Sequence, residues 1–336
     1  MNKPDEILTS GKVLVTGGAG FIGSALIWAL NRLGIENILV SDQLGHDEKW
    51  RNLAPLRFDD YLASDELLDR VVIDGHDVED VKLVFHLGAC STTTEEDVGY
   101  LMENNYRYSV TLCEWTLRRK ARFVYASSAA TYGDGSRGML DDATQLESLR
   151  PLNPYGYSKH LFDLHAARRG WLSRIVGLKY FNVYGPNESH KGDMRSLVNK
   201  AFAQVLESGK IKLFKSYKPE YKDGEQKRDF LYVKDAIDMT IHLATSQTAN
   251  GLFNLGSGQA RTWIDLANAV FSALSRRPQI EFIEMPAAMQ SKYQYFTQAN
   301  IDRLRNTGYE GPRFTLEEGV KDYVQNYLMP GETLSP

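Results

Sequence analysis

Lys12-Val13-Leu14-Val15-Thr16-Gly17-Gly18-Ala19-Gly20-Phe21-Ile22-Gly23 reads as a short apolar strand, Lys12–Thr16, a glycine-rich turn, and the start of a helix running from about Phe21 to Leu33. Glycine allows a tight strand-to-helix turn and lets a pyrophosphate approach the backbone. The helix N-terminus then offers unpaired N–H groups and a positive dipole end to that anion. From Gly18 the spacing matches the dinucleotide fingerprint; from Gly17 it matches the looser Gly-x-x-Gly-x-x-Gly form. Asp42, nineteen residues after Gly23, stands where an acid binds an adenosine ribose. The plain alternative is a turn before a packed helix, with Asp42 merely ending a strand. Strand, turn and helix in succession favour the cofactor reading. Lys49 keeps the cofactor open between NAD and NADP, because a lone carboxylate repels a 2′-phosphate and a lysine in reach would hold one.

Working outward, Gly34 is placed to end the first helix in the left-handed conformation, and Ile38–Val40 reads as a second buried strand. Further strands are expected at Leu83–His86, Arg122–Ala126 and Ile175–Tyr180, separated by helical stretches. Strands alternating with helices predict an α/β fold: a Rossmann-type, doubly wound parallel sheet covered on both faces. After Gly185 the rhythm changes. Lys215–Lys227 reads as a long loop, Leu231–Val233 as a brief return to the first domain, and Trp263–Ser275 and Leu316–Leu328 as helices. The expected division is a dinucleotide-binding domain over residues 1–182 with a return at 229–255. A smaller, mixed C-terminal substrate domain takes 183–228 and 256–336.

A second run, Asn153-Pro154-Tyr155-Gly156-Tyr157-Ser158-Lys159, predicts a helix capped by Asn153 with Pro154 in its first position. Tyr155 and Lys159 then share a face. A tyrosine ionises near pH 10 and is a poor base at neutrality unaided. A cation about 5 Å away, at an effective dielectric near 20, lowers that value by roughly two units. In isolation this pair is a common helix spacing. The run Phe123–Gly133 adds hydroxyls at a strand's carboxyl end, where open α/β sheets bind ligands. Ser128 would hold a reacting oxygen while Tyr155 moves its proton; Ser127 and Thr131 read as local hydrogen-bonders.

Composition narrows the classes. Lys and Arg total 39 against 43 Asp and Glu, a formal charge of −4, which argues against a broad nucleic-acid-binding surface. Cys90 and Cys113 cannot build a disulfide framework or a four-thiolate zinc site. No apolar run is long enough to span a bilayer, and Met1–Glu6 carries charges where a signal peptide needs apolar residues. Cytoplasm is the expected compartment. His160 and His165 are five apart and poorly placed on one helical face, and His86 and Cys90 read as core and loop residues, so no metal is expected.

The glycine turn, Ser128, Tyr155 and Lys159 together resemble the extended short-chain dehydrogenase/reductases, the superfamily of nucleotide-sugar epimerases and dehydratases, over nearly the whole chain. Tyr180–Pro186 resembles the family's turn between domains, and Arg228-Asp229-Phe230 its later arginine element. Gly88-Ala89-Cys90-Ser91, Tyr125–Gly133, Gly185-Pro186 with His190-Lys191-Gly192, and Tyr293–Ala299 are most similar to its ADP-heptose 6-epimerases. The resemblance implies a redox-neutral reaction on a nucleotide sugar with tightly held NADP, or NAD. Hydride leaves C6 and returns to the other face of the carbonyl, with Tyr155 and Lys191 serving opposite faces. It implies cofactor contacts at Gly17, Gly20, Phe21, Ile22, Gly23, Asp42, Gln43, Lys49, Leu87, Gly88, Ala89, Cys90, Ser91, Asn104, Lys159, Val183 and Lys191. Substrate contacts are implied at Ser128, Asn182, Asp193, Lys200, Phe214, Lys215, Ser216, Tyr217, Arg228 and Tyr293. It further implies a homo-oligomer, pentamers included, and a role in lipopolysaccharide supply.

Several positions depart from the pattern. Asp193 and Lys200 replace a serine and a histidine, Lys215–Lys227 is longer, and Leu87 sits where an acid is expected. A 4,6-dehydratase would need an acid pair after Ser128, and Ala129-Ala130-Thr131 supplies none; Glu95 and Glu96 read as helix-start acids. A sugar 4-epimerase is the nearer enzymatic alternative. A non-catalytic NAD(P)-binding sensor is the alternative from another class, and it would not need Ser128, Tyr155 and Lys159 together.

Overall fold

The computed structural model describes residues 5–290 and 293–336, so Met1–Pro4 of the charged opening lie outside the described residues. The large sheet is built from β1 (Lys12–Thr16), β2 (Ile38–Asp42), β3 (Asp60–Ala63), β4 (Val81–His86), β5 (Arg122–Ser128), β6 (Val176–Tyr180) and β10 (Gly251–Leu255). Its order is β10-β6-β5-β4-β1-β2-β3 and every pairing is parallel. Every residue of β2, β6 and β10 is buried, as strands covered on both faces must be. The helix Phe21–Arg32 packs with Val233–Thr245 on one side, and Ser64–Ile73 with Tyr108–Arg118 on the other. The order reverses between β1 and β4, the switch point where doubly wound sheets bind ligands.

The first strand has the predicted bounds. The helix after it ends at Arg32, with Leu33 as cap and Gly34 at φ +81°. Leu231–Val233 does not return to the large sheet. Leu231 lies in β9 (Lys227–Tyr232), which pairs with β7 (Asn182–Tyr184) and β11 (Ala260–Thr262) in a separate three-stranded sheet. The strand that rejoins is β10, in register with β6 from Gly251 opposite Val176 to Leu255 opposite Tyr180. β8 (Ile211–Phe214) and β12 (Ile280–Ile283) form a two-stranded parallel sheet. The predicted loop Lys215–Lys227 fills the gap between β8 and β9, except that Lys227 already opens β9. No helix among the described residues is long and apolar enough to cross a membrane.

Candidate active site

The carboxyl ends of β1, β2, β4, β5 and β6 open into a cleft of 840 Å³. One wall is the glycine turn. Gly17 takes φ +68°, and a Cβ there would lie 2.6 Å from the Gly88 backbone. A Cβ on Gly23 would lie 2.1 Å from the Gly17 carbonyl oxygen, so this glycine lets the helix start against the turn. Gly20, the N-cap, has no side chain to satisfy the first-turn N–H groups. Phe21, Ile22 and Gly23 line the cleft, where those groups are free to meet an anion.

Asp42 does more than was expected of it. Its Oδ2 accepts from Ala19 N at 2.9 Å, its Oδ1 from Gln43 N at 2.7 Å, and Lys49 Nζ lies 2.9 Å from Oδ1. The carboxylate therefore braces the glycine turn and is neutralised by Lys49.

The opposite wall carries the hydroxyl chemistry. Asn153 caps its helix as predicted, its Oδ1 accepting from Gly156 N at 2.7 Å, with Pro154 in the first turn. Ser128, Tyr155 and Lys159 all face the cleft. Lys159 Nζ donates to the Ala126 carbonyl at 2.9 Å. Burial pulls the Lys159 ammonium down to about 8, with Asp163 and Cys90 opposing. Burial also raises Tyr155 above its ordinary value, opposed by a hydrogen bond with Ser128. The expected lowering of Tyr155 by Lys159 is thus corrected: desolvation of the phenolate is the largest influence, and the one opposing it is the Ser128 hydrogen bond rather than the Lys159 charge.

Lys191 reaches the same cleft from the loop after β7, its Nζ 5.4 Å from the Phe21 ring centroid. Burial lowers its pKa, the direction a base requires; Glu188 opposes and Lys200 adds to the lowering. Sequence reasoning missed what shapes this loop. Buried Glu188 accepts from Ser196 N and Ser196 Oγ, each at 2.6 Å. Asn52 Nδ2 donates to the carbonyls of Ala19 (3.0 Å) and Asn187 (3.1 Å), joining the glycine turn to the Lys191 loop. Asn52 has no local signal, since its partners come from tertiary folding, and Glu188 works within its own loop, bonding Gly185 and Ser196 at a spacing that marks no motif. Arg195 and Trp263, also unanticipated, line the cleft.

Every residue expected to touch the cofactor lines this one cleft: Gly17, Gly20, Phe21, Ile22, Gly23, Asp42, Gln43, Lys49, Leu87, Gly88, Ala89, Cys90, Ser91, Asn104, Lys159, Val183 and Lys191. Of the expected substrate contacts, only Ser128 and Asn182 do. Lys200 Nζ is held by the Asp193 carbonyl at 2.5 Å, and Asp193 is exposed. Phe214, Lys215, Ser216 and Tyr217 lie at the end of β8, outside the lining. There Lys215 and Tyr217 both bind Glu284, and Ser216 N donates to Asp223. Arg228 is buried behind Trp263, its guanidinium 5.7 Å from that ring and 4.9 Å from Tyr293. Glu95 accepts the N–H groups of Glu96 and Asp97, and neither Glu95 nor Glu96 lines the cleft. No group of three metal-ligating side chains occurs among the described residues.

Residues 13–256 match the NAD dependent epimerase/dehydratase family. The chain belongs to that family. An ADP-L-glycero-D-manno-heptose-6-epimerase of Nitratidesulfovibrio vulgaris is 55% identical over 316 residues, covering 94% of this chain and 97% of the relative. One from Fusobacterium nucleatum is 45% identical over 325 residues, covering 94% and 98%. The crystal structure of the Helicobacter pylori ADP-L-glycero-D-manno-heptose-6-epimerase superposes with a TM-score of 0.80 at 29% identity, over 97% of this chain and 99% of that one. A UDP-N-acetylglucosamine 4-epimerase from Methanobrevibacter ruminantium shares the fold, with a TM-score of 0.79 at 24% identity over 96% and 99%.

Proposed function

We propose that this epimerase-family enzyme inverts C6 of ADP-D-glycero-D-manno-heptose to give ADP-L-glycero-D-manno-heptose. The observation that carries the reading is one cleft in which a phosphate-binding glycine turn meets Ser128, Tyr155 and Lys159 on one wall and Lys191 on another. The relatives at 55% and 45% identity supply the sugar. A bound nicotinamide dinucleotide would take hydride from C6 and return it. The residues present fit such a group, from the uncapped helix at Gly20 to the cleft wall at Leu87–Ser91. The neutralised Asp42–Lys49 pair supports NADP, since Lys49 offsets the carboxylate that would repel a 2′-phosphate.

Tyr155 removes or restores the C6 hydroxyl proton from one face, and Ser128 holds the reacting oxygen. Lys159, as a cation, favours the phenolate during transfer. Lys191, whose neutral form burial favours, serves the other face after the carbonyl has turned. Asn182 meets the substrate's diphosphate at the cleft edge. Arg228 and Tyr293, packed against Trp263, would form an outer substrate shell, with Asp193, Lys200 and the Phe214–Tyr217 segment as further substrate contacts outside the cleft lining. Residues 1–182 with 229–255 would carry the cofactor and the remainder the nucleotide sugar. The enzyme would act in the cytoplasm as a homo-oligomer, pentamers included, supplying lipopolysaccharide heptose.

The test is NMR of the purified chain with ADP-D-glycero-D-manno-heptose and no added cofactor. Appearance of the C6 epimer is the expected result. A folded, cofactor-bound protein that produces none removes this substrate.

A further inference from the structure

Beneath the catalytic wall lies an ion pair that the reaction as drawn does not use. Asp163 and Lys179 have side chains 0% and 1% exposed, with Lys179 Nζ 2.7 Å from Asp163 Oδ2. Ser127 Oγ donates to the same oxygen at 2.8 Å and Tyr125 OH to Oδ1 at 2.8 Å. Lys179 Nζ also donates to Thr131 Oγ1 at 2.7 Å and stands 4.9 Å from the Tyr132 ring centroid. A buried pair of this kind is often no more stable than apolar residues filling the same space, so stability alone is a weak reason for it. Its placement offers a better one. Asp163 is one helical turn beyond Lys159, on the helix that begins at Tyr155's end. Ser127 and Thr131 flank Ser128, and Lys179 is on the next strand, β6.

The geometry points to Asp163 and Lys179 as a positioning pair that pins the Tyr155–Lys159 helix to the strand ending in Ser128, with Asp163 placing a negative charge one turn from Lys159 and Lys179 offsetting it. This rests on the roles given above to Tyr155 and Lys159. The groups that face Lys159 are Asp163 on its own helix, His86 at the end of β4, Cys90 on the following loop, and the Ala126 carbonyl on β5; Tyr155, one turn before it, lines the same cleft. His86 is buried and neutral near pH 7. Burial drives Lys159 toward its neutral form, and Asp163 is the foremost influence against it. Lys179 in turn tempers Asp163. Removing either partner therefore moves Lys159 in opposite directions, an outcome that loosened packing does not produce.

The experiment follows Lys159 by NMR of 13Cε-lysine-labelled full-length protein, its signal assigned with Lys159→Met. Asp163→Asn is expected to lower the Lys159 pKa by about two units, from charges roughly 6 Å apart across one turn at an effective dielectric near 20. Lys179→Gln is expected to raise it, and Tyr125→Phe, which takes one donor from Asp163, to raise it less. The alkaline limb of turnover should move with each. Shifts of the same sign in Asp163→Asn and Lys179→Gln, or none in folded variants, overturn the proposal. If Asp163→Asn does not fold, the sign of the other two shifts decides. Expected Lys159 shifts with no turnover of the heptose would sink the substrate and leave the pair standing; epimerisation with an unmoved Lys159 would do the reverse.

Discussion

Two proton-transfer groups on opposed walls make separable demands. Tyr155→Phe removes the transferable phenolic proton and leaves the ring in place. Lys191→Met keeps the aliphatic stem against Phe21 and removes the amine. Each should lower kcat by about 10²–10⁴-fold while the purified protein still releases its cofactor on denaturation. Their pH signatures differ. Lys191 acts in its neutral form, so the rate rises with pH through its lowered pKa, and that rising limb should vanish in Lys191→Met. Lys159 acts as the cation, so the rate falls as it deprotonates near pH 8. A Lys191→Met enzyme with its rising limb intact would exclude the second base. The cofactor side of this site was legible because its residues follow one another in short motifs. Asn52, Asp163 and Lys179 were not, because each works through partners brought to it by the fold, and Glu188 was not, because its bonds within its own loop follow no motif. Tyr155 was misjudged in direction because its burial is not written in the spacing to Lys159.

The strand, turn and helix at Lys12–Arg32 act as one element, and Gly23 is its tightest point. A methyl there would meet the Gly17 carbonyl carbon at 2.8 Å as well as its oxygen. Backbone cannot yield as a side chain does, so Gly23→Ala must displace the helix start from the turn. Purified Gly23→Ala should carry little or no cofactor, read by absorbance after denaturation. Gly34→Ala is the contrast: its φ of +81° is strained for alanine, but nothing lies within 4 Å. It should lose about 1 kcal/mol of stability and keep its cofactor. Equal retention by both variants would remove the close-packing argument. The first element was readable because an apolar strand, four closely spaced glycines and a 3.6-residue pattern agree. β8 and β12 escaped notice because they are short, with partly exposed faces. β10 escaped because polar Asn254 interrupts a buried run. Its side chain is satisfied only by Tyr132 OH and the carbonyls of Met139 and Asn300, all remote in sequence.

Across the whole molecule, buried histidines tie the response to acid to the same packing that forms the cleft. His86 bridges the end of β1 to the helix Tyr108–Arg118, with Nδ1 2.7 Å from Thr16 Oγ1 and Nε2 2.8 Å from Ser109 Oγ. Burial, helped by the Lys159 charge, pushes its pKa down to about 3. Unfolded, the ring takes a proton near pH 6.5. Between these values the unfolded chain holds one proton more, so stability falls as pH drops below 6.5, by about 1.4 kcal/mol per pH unit. His160, His165 and His190, also lowered by burial, push the same way. Asp235, raised to about 6 by burial, pushes the other way: its native carboxyl holds the extra proton, and stability falls as pH rises toward 6. His86→Gln separates these contributions. The variant should be less stable at pH 7, having lost well-placed ring bonds. On going to pH 5 it should lose about 2 kcal/mol less than the parent, because no ring proton is left to bind. Urea midpoints of both proteins at the two pH values measure this, and equal losses would show that the buried ring does not set the acid limit of the fold.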